Sequence, residues 1–156
     1  AYHKTVDFVN KTSCRLAFNP GTLQIAAGKK NIENVLSITD VLFVNKEEAV
    51  EILNMKYKIL NMKELLIALQ KLGPKIVVIT DSKNGSFAID DKGNISKKGI
   101  VETRVIEKTG AGDAYSSGFL SALIQDKSIN DAMDLGTKNS ASVIGKVGAQ
   151  AGLLYV

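Results

Sequence analysis

The 156 residues suffice for one domain with a sizeable core, and 45 % apolar residues exclude a disordered chain. A net charge of +4 is too mild to demand a nucleic-acid partner, and no apolar run approaches the ~20 residues of a membrane-spanning helix. One cysteine, Cys14, excludes an intrachain disulfide framework.

In chain order, residues 2–12 read as a short polar helix, with the lone His3 at its frayed start. Arg15 to Asn19 reads as a strand stopped by Pro20-Gly21, with the Cys14 thiol at its beginning. Residues 31–38 read as a helix with Ile32, Val35 and Leu36 on one face. Val41 to Val44 is a continuous apolar run, the pattern of a parallel strand buried on both faces. A helix with Ala49, Ile52 and Leu53 inward follows. Residues 62–72 form a further helix, with Leu65, Leu66, Leu69 and Leu72 on one face; Asn61 and Glu64 form a capping box and Gly73-Pro74 ends it.

Ile76 to Ile79 reads as a second buried strand. Phe87 to Ile89 and Ile100 to Thr103 read as strands around the turn Asp90 to Asn94. A last helix spans about 129 to 145, with Ile129, Ala132, Met133, Val143 and Ile144 inward. The pairs Lys29-Lys30 and Lys97-Lys98 read as solvated loops. Alternating strands and helices predict one α/β domain over 1–156, with a mainly parallel sheet.

The richest stretch is Thr109-Gly110-Ala111-Gly112-Asp113, at the start of a helical pattern carrying Tyr115, Phe119, Ala122 and Leu123. Small residues let backbone N–H groups approach an anion, and a helix N-terminus adds partial positive charge. Asp113 then lies within reach of whatever is held there. Gly118 lets the helix lie close to a sheet. The third glycine of a dinucleotide fingerprint is missing, and Ser116-Ser117 stands where a P-loop carries Lys-Ser/Thr. A tight turn whose acid merely favours the helix dipole is the plainer alternative.

These residues resemble the signature of the phosphofructokinase-B family, the ribokinase-like sugar and nucleoside kinases. Its Gly-Ala-Gly-Asp run, aromatic and Gly-Phe pair are matched by Gly110 to Asp113, Tyr115 and Gly118-Phe119. Its Asn-x-x-Glu after a buried strand is matched by Asn45 to Glu48. Its strand ending in Thr before a glycine turn is matched in part by Thr80 and Gly85, with Ser82 in place of the first glycine. Its closing Gly-Ala loop is matched by Val147-Gly148-Ala149. Four features in this order are far more specific than any one.

The resemblance spans essentially the whole chain but only the C-terminal part of the family. No Gly-Gly sugar-binding motif and no small β-sheet lid is legible, so the sequence reads as half a kinase. The implied fold is a three-layer ribokinase-like sheet with helices on both faces, incomplete at its N-terminal side. The implied activity is ATP-dependent phosphoryl transfer to a hydroxyl of a sugar or nucleoside, with Mg²⁺. In the family the acid matching Asp113 is the catalytic base, and the amides of Gly110, Ala111 and Gly112 form an anion hole. Asn45 and Glu48 would organise water-bound Mg²⁺ and phosphates, although the same spacing makes a capping box.

Thr80, Gly85, Thr109, Thr137, Asn139 and Gly148 are carried over as nucleotide contacts. Glu107 replaces an Asp that helps hold a monovalent cation in many relatives, and its longer side chain speaks against that site. The expected partners are a nucleotide and a sugar or nucleoside, with no nucleic acid or membrane. The chain is expected to self-associate or to need a missing N-terminal half. With no signal-peptide pattern, the expected compartment is the cytoplasm. The alternative is a nucleotide-binding or interaction module without turnover.

Overall fold

A computed structural model describes residues 2–54 and 61–154. The elements run α1 (His3–Thr12), β1 (Ala17–Phe18), α2 (Thr22–Ala26), α3 (Lys29–Leu36), β2 (Val41–Asn45), α4 (Lys46–Ile52), α5 (Met62–Gln70), β3 (Ile76–Thr80), β4 (Ser86–Ile89), β5 (Ile95–Lys98), α6 (Ala111–Ile124) and α7 (Ile129–Ile144). The chain divides into two compact units, the first comprising residues 1–80 and 87–95, the second 81–86 and 96–156. Within the first unit the strands β1, β2 and β3 follow one another in the sheet in chain order.

In the first unit β1 pairs with β2 and β2 with β3, both in parallel. Val41 to Val44 and Ile76 to Ile79 are all buried. Successive strand residues point to opposite faces, so both faces of these strands are covered, as their unbroken apolar runs predict. Leu42, Val44, Val77 and Ile79 share a core with Ile32, Val35 and Leu36 of α3, Ala49 and Ile52 of α4, and Leu65, Leu66 and Leu69 of α5. The three leucines of α5 are fully buried, each worth ~1.5–3 kcal/mol of transfer free energy. The capping box at Asn61 and Glu64 is formed in both directions, at 3.0 and 2.8 Å.

The incoming ends of these strands are joined by Asp40. Its carboxylate accepts the Leu16 N–H at 2.8 Å and the Lys75 ammonium at 2.8 Å, while its carbonyl accepts the Ile76 N–H. Burial pushes this carboxyl up. The Lys75 bond, the Leu16 amide and the charges of Lys75 and Arg15 together outweigh that push and hold it below its ordinary 3.8. A depressed pKa contributes stability above the ordinary carboxylate range and loses it as pH falls through the lowered value. Asp40→Asn is therefore expected to lower unfolding stability at neutral pH by about 1–3 kcal/mol. Urea titrations should show that deficit shrinking as pH falls below the ordinary carboxylate range; a deficit independent of pH would mean that the charge is idle.

Several expectations are corrected. The first strand is confined to Ala17–Phe18, and α2, unforeseen, follows Gly21. The 31–38 helix begins two residues earlier, after Gly28 at φ +92°, and so takes Lys29-Lys30 into its first turn. Lys97-Lys98 lies in β5, where Lys98 pairs with Asp134 at 2.6 Å. Cys14 is exposed ahead of β1.

The strand expected at Ile100 to Thr103 is β5, at Ile95–Lys98. The turn before it explains the shift. Asp90 donates its N–H to the Asn94 carbonyl, and its carboxylate accepts the N–H groups of Lys92 and Asn94. So tight a closure returns the chain at once, and the strand starts at the end of the turn. Ile100 and Val101 are exposed, so their β-branched composition misled.

Candidate active site

The second unit contains the glycine-rich start of α6. Gly110 caps the helix at φ +80°, ψ 0°, a left-handed conformation that glycine adopts without steric cost. A Cβ there would lie 2.5 Å from the Ala149 carbonyl oxygen and 2.9 Å from its Cα. Glycine is thus required by backbone conformation and by close approach alike. The Gly110 carbonyl accepts the Ala114 N–H at 2.8 Å, and the Ala111 N–H closes a turn onto the Lys108 carbonyl at 3.2 Å.

The first N–H groups of any helix lack acceptors within it. Among the described residues, none accepts from the N–H of Gly110, Gly112 or Asp113. The open amides are therefore these three, and the Ala111 amide, expected among them, is engaged in the turn. The donor of Asp113 itself was missed. Counting unsatisfied amides from the N-cap would have found it. Gly112 faces open space, with nothing within 4 Å of a Cβ built on it. Asp113 is exposed in the first helical turn, and no described residue hydrogen-bonds its carboxylate.

Two glycines let α6 settle onto α7. A Cβ on Gly118 would lie 2.9 Å from the Leu135 carbonyl and 3.1 Å from the Asn139 Cβ; one on Gly136 would lie 2.9 Å from the Tyr115 carbonyl. Gly118 thus serves a helix–helix contact rather than the expected approach to a sheet. Tyr115 is buried and donates to the Ser86 hydroxyl at 2.8 Å. Burial, only partly offset by that bond, pushes its phenol up to about 12 and keeps it neutral.

The C-terminal segment is fastened to the same helices. Asn139 donates to the Ala114 carbonyl at 2.7 Å and the Ser117 hydroxyl at 3.2 Å, and accepts the Leu154 N–H at 2.8 Å. The Thr137 hydroxyl is buried and donates to the Met133 carbonyl at 2.8 Å. Both residues, expected to face a nucleotide, thus use these polar groups within the protein. Glu107 accepts the Gly148 N–H at 2.9 Å. That bond, with a second from the Thr109 hydroxyl, holds the Glu107 carboxyl below its ordinary 4.5. Gly85, at φ +86°, is buried where a Cβ would overlap the Lys98 carbonyl.

In the first unit, Asn45 and Thr80 are register partners at the C-terminal ends of the parallel strands β2 and β3. Ligands of open parallel sheets bind outside such strand ends. Asn45 caps α4: its side-chain oxygen accepts the Glu48 N–H, and Glu48 Oε2 accepts the Asn45 N–H, both at 2.8 Å. The capping box is therefore real, and it leaves Glu48 Oε1 outside the box. Among the described residues no three His, Cys, Asp or Glu side chains cluster as metal ligands. No described helix is long and apolar enough to cross a membrane.

The fold is shared with solved kinases. A ribokinase of Thermotoga maritima superposes with a TM-score of 0.82 over 98 % of this chain and 50 % of its own, at 20 % identity. An Arabidopsis thaliana ribokinase, solved with ribose and ATP, gives 0.82 over 96 % of this chain and 47 % of its own, at 18 % identity. An uncharacterized sugar kinase of Archaeoglobus fulgidus is 29 % identical over 138 residues, which are 88 % of this chain and 53 % of the relative. The chain spans about half the length of these relatives. The sequence pattern of the pfkB family carbohydrate kinases matches residues 9–154, from α1 to beyond the loop that Glu107 fastens, so this chain belongs to the pfkB family.

Proposed function

We propose that this chain carries the ATP-binding and catalytic part of a kinase that moves the γ-phosphoryl group of ATP to a hydroxyl of a sugar or nucleoside. The observation that carries the reading is the start of α6: a glycine in a left-handed conformation, three open amides and an exposed acid in one turn. Phosphoryl transfer asks the protein mainly for positioning and charge stabilisation, which this turn is built to give.

In this reading Asp113 orients the acceptor hydroxyl and takes its proton as the oxygen bonds to the γ-phosphorus. The bond to the β–γ bridging oxygen breaks, and ADP leaves. The N–H groups of Gly110, Gly112 and Asp113 donate to the charge on the transferred group, while Ala111 and Thr109 shape the turn. Gly148 sets the neighbouring loop. Thr137 and Asn139 act indirectly, by holding α6, α7 and the C-terminal segment in place.

In the first unit, Asn45, Thr80 and Glu48 suit phosphates and a hydrated Mg²⁺. Such an ion keeps several waters and needs only one or two carboxylates, which fits a lone Glu48 whose Oε1 is outside the capping box. When bound, Mg²⁺ would neutralise charge on the phosphate oxygens.

A coupled ADP-release assay tests this reading, with Mg²⁺, ATP and a panel of sugars and nucleosides. ADP formation that depends on one class of acceptor is expected. Nucleotide binding without ADP release for any acceptor would point to a binding module instead.

A further inference from the structure

We propose that Glu107 is a positioning residue, whose carboxylate holds the Gly148–Ala149 loop as the wall that fixes Gly110 and hence the open amides of α6. The proposal rests on the reading of that helix start as a phosphate cradle, and it gives a role to the position where the chain departs from the family's aspartate.

The contacts form a short closed chain. Glu107 accepts the Gly148 N–H at 2.9 Å across 41 positions of sequence. The next residue, Ala149, approaches Gly110 so closely that its carbonyl oxygen lies 2.5 Å from where a Cβ would stand. Gly110 is the N-cap of α6, so its peptide orientation sets where the N–H groups of Gly110 and Gly112 point. Gly148 itself has φ +98°, a conformation that other residues adopt only with strain. The backbone around Glu107 is anchored as well: the N–H groups of Ile106 and Glu107 both donate to the Ile144 carbonyl at the end of α7, at 2.8 and 3.2 Å.

Glu107 therefore ties three things together: the segment leading into the cradle, the end of α7 and the loop that walls Gly110. A carboxylate accepting a backbone N–H makes a charge-assisted bond, stronger than a neutral acceptor would. Its length matters too. The glutamate spans from the turn before α6 to the closing loop, so shortening the side chain removes the tie without substituting Gly110 itself.

The test compares the chain with Glu107→Ala and Glu107→Gln by ¹⁵N–¹H amide spectra and by titration with Mg²⁺ and ATP, below each variant's melting midpoint. In Glu107→Ala the amide signals of Gly148, Gly110 and Gly112 should all move, and the ATP dissociation constant should rise about tenfold. Glu107→Gln keeps an oxygen that can accept the Gly148 N–H without its charge. It should move the same three signals by less and weaken ATP by about two- to threefold. Should Glu107→Ala fail to fold, that graded change in Glu107→Gln decides the matter. The proposal is overturned if Gly148 shifts alone while Gly110 and Gly112 stay, for then Glu107 merely caps its own loop. A wild-type chain that binds no ATP at millimolar concentration would defeat the cradle reading, while the amide comparison would still decide whether Glu107 fixes Gly110.

Discussion

If Asp113 is the proposed base, Asp113→Asn in the full-length protein is expected to lower phosphoryl-transfer turnover by about 10²–10⁴-fold, the usual loss on removing a general base, with little change in nucleotide affinity. The carboxylate is exposed and makes no hydrogen bond to any described residue, so it supports neither the turn nor the core. Asparagine keeps its size and suits the first turn of a helix. The structural loss is confined to the favourable meeting of a negative charge with the helix N-terminus, ~0.3–1 kcal/mol. Rate and affinity should therefore separate, which steady-state kinetics and equilibrium titration would reveal. A variant that keeps the parent rate would reduce Asp113 to a helix-start residue.

The second large effect is expected at the cradle glycines, which the structure distinguishes sharply. Gly110→Ala forces an alanine into a left-handed conformation and drives its methyl against the Ala149 backbone. Strain of that kind costs about 1–3 kcal/mol where the chain cannot move, and relieving it would displace the open amides. Lower thermal stability and loss of ATP binding should appear together. Gly112→Ala meets open space within a helix, where alanine is favoured over glycine by ~1 kcal/mol. It should fold as well as the parent or better, yet bind ATP more weakly, because its methyl stands beside an amide donor. Melting curves and titrations of the two variants check this. A Gly110→Ala variant that melts and binds ATP like the parent would mean that Gly110 is not held against Ala149 as described.

Most of the core of the first unit could be read from sequence. The apolar runs at Val41 and Ile76 and the leucines of α5 carry simple periodicities, and both Asn-x-x-Glu pairs form the boxes their spacing predicts. What escaped was set by contacts distant in sequence. Nothing near Gly118 says whether it meets a sheet or a helix; Gly136 and Asn139 of α7 decide that. The internal partners of Thr137 and Asn139, the Met133 and Ala114 carbonyls, the Ser117 hydroxyl and the Leu154 amide, are likewise invisible in the local pattern of the last helix. In sequence Glu107 reads only as a substitution, since the Gly148 amide that it accepts lies 41 residues away. The β5 strand was misplaced for a local reason: β-branched residues at 100–103 outweighed the tight Asp90 turn that restarts the chain sooner.

A phosphate cradle in the first turn of α6 would show itself at its open amides. The most direct test is an amide-resolved titration of the unaltered chain with Mg²⁺ and ATP, with AMP as the comparison. The largest shifts on adding ATP are expected on Gly110, Gly112 and Asp113, the three open donors, and AMP should reproduce them weakly because it lacks the β- and γ-phosphates. Saturable ATP binding that leaves these three amides unmoved would contradict the cradle.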